Sequence, residues 1–269
     1  MAAHCRPAEG QDCAALVGND AETVAARIAE LQAIIAARGA PLPRTLLLRD
    51  LPGLGGQPEP GHAPVPFGLI DLPGVQRQRP AVINLESFGH LMAAGAPRSG
   101  RSQLLRTIAA SLAVGFSCAD VHLYGIDCGN GALLPLADLP HCGAVVTRTQ
   151  ADRAARLLSR LGAELARRQD LLAAAPASDR LPHIVVLLDR WEGFTTTLGE
   201  ADGTLTDMIT RILSEGASAG IHLIMTGDRS LLAGRIAALW EDKLVFKLPG
   251  TGLAPVTAGR SMPRSSGAG

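Results

Sequence analysis

From residue 66 onward, short apolar runs alternate with longer stretches whose apolar residues recur every three or four positions. The runs 67–70, 81–85, 90–94, 121–126, 144–146, 183–188, 221–226 and 244–248 are predicted strands. The stretches 102–116, 152–175, 205–217 and 230–239 are predicted helices. The longest of these carries Leu157, Leu158, Leu161, Leu165, Leu171 and Leu172 on an inward stripe. Arg153, Arg156, Arg160, Arg167 and Arg168 occupy the rest of its circumference. Strands alternating with helices predict an α/β fold, a mostly parallel sheet with helices on both faces.

Upstream the pattern changes. Residues 1–19 have no period, and from Asp20, a candidate N-cap, Val24, Ile28, Leu31, Ile34 and Ile35 share one face of a helix over 21–38 that ends at Gly39 and Pro41. Residues 41–65 are dense in proline and glycine and read as an irregular linker. The expected organisation is a lead-in and helix over 1–40, a linker over 41–65, one α/β domain over 66–250 and a flexible Gly/Ser/Pro tail over 251–269.

Composition narrows the chemistry. With 269 residues and 47% hydrophobic positions the chain can bury a full core, which excludes disorder along its whole length. Its 25 basic residues balance 25 acidic ones, so it is no globally basic nucleic-acid or membrane-surface binder. Only Lys243 and Lys247 among the basic residues are lysines, which leaves the first 242 positions without a side-chain amine. Five cysteines (Cys5, Cys13, Cys118, Cys128, Cys142) with no CxxC pair describe no disulfide scaffold and point to a reducing, cytoplasmic setting. His141 beside Cys142, and His4 with Cys5 and Cys13, fall short of four donors at structural-zinc spacing. The uncharged stretch 107–119 has 13 residues, short of the ~20 that cross a bilayer. No signal peptide is visible at the start, and the expectation is no direct membrane insertion.

One local pattern carries chemistry. The strand at 90–94 runs into Gly95, Ala96, Pro97, Arg98, Ser99, Gly100, Arg101 and Ser102, then Gln103 and an amphipathic helix. This is the GxxxxGKS phosphate loop with arginine in place of lysine, in the strand–loop–helix setting the loop requires. Glycines let successive N–H groups and the helix N-terminus face phosphates, and the Ser102 hydroxyl can reach a Mg²⁺ ion. A bulkier planar guanidinium at Arg101 cannot sit between β- and γ-phosphates as a lysine does. About ninety residues on, the apolar run Ile184 to Leu188 ends in Asp189, the expected second Mg²⁺ contact. Arg190 follows where an acid is expected, and Glu192, two residues beyond Asp189, is the substitute general base if the strand continues. Thr226 stands where a residue near the γ-phosphate would lie, while Asp127 and Asp228 are either site residues or caps of their turns.

These segments, together with His122 to Gly129, Leu139 to Gly143, Leu188 to Phe194 and Gly220 to Leu223, resemble the FtsK/SpoIIIE-type P-loop ATPases of actinobacteria. The stretch at roughly 41–250 is most similar in flavour to the EccC-like ATPases of type VII secretion, with degenerate Walker motifs. The resemblance implies a RecA-like P-loop NTPase fold, ATP on Gly95 to Gln103 and Thr226, and Mg²⁺ held by Ser102 and Asp189. It further implies partnership with larger ATPase subunits or with itself, and a cytoplasmic place peripheral to a membrane complex. DNA binding enters by resemblance alone, because the seven arginines against four acids over 148–180 read more simply as a solvated helix face. Arg101 and Arg190 make an ATP-binding, weakly or non-hydrolytic regulatory or assembly unit the leading reading. An active motor domain and a nucleotide-free docking module are the alternatives.

Overall fold

The computed structural model describes residues 25–29, 42–43, 45–54, 64–72, 77–174, 181–199, 203–240 and 242–248. The chain divides into two compact units, one of Met1–Leu46 with Leu69–Pro80 and one of Leu47–Gly68 with Ala81–Gly269. Of the helix expected over 21–38, residues 25–29 are helical, and the remainder, like the tail over 251–269, lies outside the described residues. In the first unit the other described regular structure is the adjoining parts of strands β1 (Val65–Leu72) and β2 (Arg77–Ile83).

The second unit holds a six-stranded sheet in the order β5-β4-β6-β7-β3-β8. Its strands are β3 (Leu91–Ala94), β4 (Val121–Asp127), β5 (Cys142–Thr147), β6 (His183–Asp189), β7 (Ile221–Gly227) and β8 (Asp242–Val245). Every pairing within it is parallel. Two of the eight predicted strands do not join. β1 and β2 pair with each other in a separate two-stranded sheet, because a four-residue connection permits a hairpin but not the crossover that parallel neighbours need.

Burial explains the central position of β6. All seven of its residues are buried, and a strand without a polar face is stable only between two covered surfaces. Ile184, Val186 and Leu188 enter a cluster with Leu157, Leu158, Leu161 and Leu165 of helix α2 (Ala151–Ala174). Ile209, Ile212 and Leu213 of α4 (Gly203–Glu215) complete that layer. The alternate residues Val185 and Leu187 are equally buried, and helix α1 (Arg101–Gly115), with Leu105, Ile108 and Leu112 inward, covers that side. The helix expected over 230–239 is interrupted. Gly234, at φ +79°, separates a 3-10 turn over Arg229–Leu232 from α5 (Gly234–Ala237). A further single turn, α3 (Trp191–Phe194), runs into a π-helical turn over Thr195–Gly199. No described helix is long and apolar enough to cross a membrane.

Two polar clusters hold the amino ends of the strands. Arg168 of α2, almost wholly buried, donates to Glu164 Oε1 (2.8 Å), Pro182 O (2.8 Å) and Ala219 O (3.0 Å), and so ties α2 to the segments that enter β6 and β7. Beside it, His183 Nδ1 lies 3.0 Å from His222 Nε2, and His222 Nδ1 lies 3.1 Å from Gly89 O. Since the carbonyl only accepts, His222 carries its proton on Nδ1, and His183 donates to its other nitrogen. His90 Nδ1 accepts from Leu223 N (2.9 Å). Burial lowers His90 from 6.5 to about 4 and His222 to about 3, the latter also through the neighbouring histidines.

Removing the Arg168 head group takes the donor from two carbonyls and leaves Glu164 to Arg167 alone, so Arg168→Ala should cost about 2–5 kcal/mol of unfolding free energy, measured by urea titration. The histidines set the acid limit. Their folded pKa values lie below the unfolded one, so their stabilisation is complete above pH 6.5 and is lost as pH falls through the window down to about 3–4. Between pH 6.5 and 5 the unfolding free energy should fall by up to about 1.4 kcal/mol per pH unit for each histidine. His222→Gln should flatten that slope, and a stability independent of pH over this range contradicts the assignment.

Candidate nucleotide site

The sheet order places the site. β3 lies between β7 and β8, so the chain leaving β3 crosses β7 and β6 to reach β4, and ligands of such parallel sheets bind beyond the carboxyl ends of the strands. Ala94 of β3 pairs with Gly227, and Asp127 of β4 pairs with Asp189 of β6. The phosphate-type loop, the acid and Thr226 therefore meet at one edge, although more than a hundred residues separate loop from threonine in sequence.

The loop is fixed at its base and open at its tip. Gly95 N donates to Gly227 O (3.0 Å) and Ala96 N to Lys247 O (2.9 Å), while Phe246 N donates to Ala94 O (2.7 Å). Gly95 is obligatory, because a Cβ there would stand 2.6 Å from Ser99 Oγ and 2.7 Å from Phe246 Cβ. Pro97 and Arg98 are exposed, and Arg98 takes φ +64° and Gly100 φ +99° to turn the chain into α1. No side chain caps the helix, and its first helical N–H bond is from Leu104 N to Gly100 O (2.9 Å). The N–H groups of Arg101, Ser102 and Gln103 thus open the helix without an intrahelical acceptor, the arrangement that receives anions.

Ser102 Oγ donates to Asp189 Oδ2 (2.8 Å), and Thr226 Oγ1 donates to Asp189 Oδ1 (2.6 Å). Thr226 also accepts from Arg190 N (3.1 Å), so its hydroxyl is engaged on both sides. The strand does not continue past Asp189. Arg190, at φ +68°, turns the chain, and Glu192 falls in α3 rather than on the strand face. There Glu192 Oε1 lies 3.3 Å from Arg101 Nη2 and 3.3 Å from Arg190 Nε, and Oε2 accepts from Asp228 N (3.2 Å). Arg101 is buried along this contact and its Nη1 has no partner among the described residues. Asp127 and Asp228 cap their turns. Asp127 accepts from Gly129 N (2.9 Å) and Leu133 N (2.8 Å), and Asp228 accepts from Ser230 N (2.8 Å). Cys128 is no nucleophile here, since burial, then the Asp127 and Asp189 carboxylates, push its thiol up to about 12.

The donor set fits a magnesium nucleotide. It has an uncapped helix N-terminus, a hydroxyl and a carboxylate 2.8 Å apart, and a buried Ser99 Oγ that lacks a partner among the described residues. Sequence reasoning missed the Asp228 amide, the backbone of Phe246 and Lys247, and the Arg101–Glu192 contact. The last joins residues 91 positions apart and leaves no local pattern.

The sequence profile of the FtsK/SpoIIIE family matches residues 57–183. The chain carries an FtsK/SpoIIIE-family domain. It is 34% identical over 205 residues to the ESX secretion system protein EccC of Thermomonospora curvata, across 70% of this chain and 15% of that protein. The type VII secretion system protein EssC of Staphylococcus aureus is 26% identical over 174 residues, 61% of this chain and 12% of its own length. The chain thus spans less than a sixth of these curated relatives. Among solved structures, ATPases 2 and 3 of T. curvata EccC in complex with a signal sequence peptide superpose at a TM-score of 0.65 with 29% identity, over 78% of this chain and 42% of that one. EssC ATPases 2 and 3 of Geobacillus thermodenitrificans share the fold at a TM-score of 0.68 and 23% identity, over 82% and 44% of the two chains. The RecA-like P-loop architecture that the family resemblance implied is the one this domain has.

Thr226 supplies the buried donor that holds Asp189 in place. Thr226→Val keeps the shape and removes that bond, which should cost about 1–3 kcal/mol, read as a lower urea midpoint with an unchanged slope.

Proposed function

We propose that this FtsK/SpoIIIE domain binds Mg-ATP at the 95–103 loop and hydrolyses it weakly or not at all, as a regulatory or assembly unit of a protein- or DNA-translocating system. The observation that carries the reading is the state of Glu192. A general base needs a free oxygen facing the attacking water, and both Glu192 oxygens are already engaged, one by two guanidiniums and one by the Asp228 amide. Arg101, where the phosphate lysine would stand, is turned to Glu192 and buried against it.

Bound Mg-ATP supplies a γ-phosphoryl group whose transfer to water demands in-line attack and neutralisation of spreading charge. The residues of this chain bind and orient it. Gly95, Ala96, Pro97, Arg98, Ser99 and Gly100 form the wrap, and the Arg101, Ser102 and Gln103 amides face the phosphates. Ser102 and Asp189 would hold the cation, and Thr226, on the γ-phosphate side by the family resemblance, keeps Asp189 in place for it. Larger ATPase subunits or further copies of this chain are the proposed partners, in keeping with relatives that are parts of much longer secretion proteins. A cytoplasmic place at the periphery of a membrane complex follows from the same kinship.

Calorimetric titration of Mg-ATP, with phosphate release assayed in the same samples, tests this. Wild-type protein should bind while releasing phosphate at the buffer background, and Ser102→Ala should weaken binding at least about 10-fold. Arg101→Lys, which loosens the hold on Glu192, should raise turnover above wild type. Phosphate release by the wild type that vanishes in Asp189→Ala means an active motor domain, and absence of binding in every variant means a docking module without nucleotide.

A further inference from the structure

Away from the nucleotide edge, a groove of about 820 Å³ runs between helix α2 and the outer margin of the sheet. Tyr124 of β4 and Gly143, Ala144 and Val146 of β5 line it from the sheet, and Arg153, Arg156 and Arg160 line it from the helix. Three features of this groove stand together. The arginines, at i, i+3 and i+7, form one stripe on α2, all three exposed. Among the described residues none of them makes an ion pair. Glu164, the acid lining the same groove, is taken by Arg167 (2.7 Å) and Arg168 (2.8 Å), and those contacts, the Arg167 hydrogen bond foremost, hold its carboxyl down to about 2.

β5 stands at the end of the strand order and pairs with β4 alone, so half its backbone donors and acceptors face outward. It also carries a glycine against the groove. A Cβ on Gly143 would come 2.6 Å from Tyr124 Cε1, so glycine at this position lets the ring lie across the strand and floor the groove. An open strand edge of small and apolar residues, overlooked by three unneutralised guanidiniums, matches an extended peptide with acids at every second position. Such a peptide would continue the sheet through its backbone and turn its carboxylates to α2. A nucleic acid would need a broad basic surface instead, and the total charge of the chain is zero.

We infer that β5 and the arginine stripe of α2 form a docking groove for an acidic, extended polypeptide segment of a partner protein, bound by strand addition. The groove lies apart from the loop at 95–103, and its occupation does not depend on nucleotide.

The probe is a fluorescein-labelled, acetylated and amidated octapeptide alternating Glu and Thr, titrated by anisotropy against the full chain without nucleotide. Binding is expected with faster hydrogen exchange suppressed over residues 142–147. Each of Arg153→Ala, Arg156→Ala and Arg160→Ala should weaken it about 2- to 5-fold, and the triple variant at least 10-fold at an unchanged Tm. A block peptide of four Glu then four Thr should bind at least 5-fold more weakly, and the alternating Lys–Thr octapeptide not at all. The proposal is overturned by no binding at millimolar peptide, by equal affinity for block and alternating sequences, or by a triple variant within 2-fold of wild type. It is equally overturned if single-stranded oligothymidylate binds more tightly with the same arginine dependence, which would make the groove a nucleic-acid site.

Discussion

A buried carboxylate governs the functional edge of this domain. Asp189 is 1% exposed at the end of the central strand, and burying an acid is tolerated only where donors replace the water it loses. Ser102 and Thr226 supply them from the loop helix and from β7. One side chain thus ties together three elements that are remote in sequence. The Ser102 hydroxyl that satisfies Asp189 within the protein is, with Asp189 itself, the pair suited to a divalent cation, so structural and binding roles fall on the same atoms.

Beside it, the charges are arranged differently from a hydrolytic centre. Two guanidiniums converge on one oxygen of Glu192, and the amide of Asp228 takes the other. Charge-assisted bonds of this kind hold a group in one geometry, which favours fixed architecture over proton transfer. The substitution of arginine for lysine at position 101 is therefore matched by a local partner, and the departure from the motif at Arg190 serves the same contact.

The opposite end of the sheet has its own polar logic. Arg168 and the histidine chain His183–His222 satisfy carbonyls where strands begin, under α2 and behind β7. The arginines that anchor and the arginines that face the groove sit on the same helix, but only Arg168 and Arg167 share Glu164. The 24 residues of α2 reduce to that division: an inward stripe of leucines, one buried cation, and an outward stripe that no acid among the described residues neutralises.

The sequence by itself determined the alternation of strands and helices, the phosphate loop and the acid-ended strand, because apolar periodicity and glycine spacing are local properties. Legible too were Ser102 and Asp189 as members of one site, through a motif pair rather than through distance. Only the tertiary structure decided that β1 and β2 leave the sheet, that the helix over 230–239 breaks at Gly234, and that Asp127 and Asp228 are turn caps. It alone decided that Glu192 is engaged by Arg101, and that β5 is an open edge beneath a stripe of arginines. Strand order and the meeting of side chains ninety residues apart depend on which surfaces pack together, and no neighbouring pair of residues in the chain records that choice.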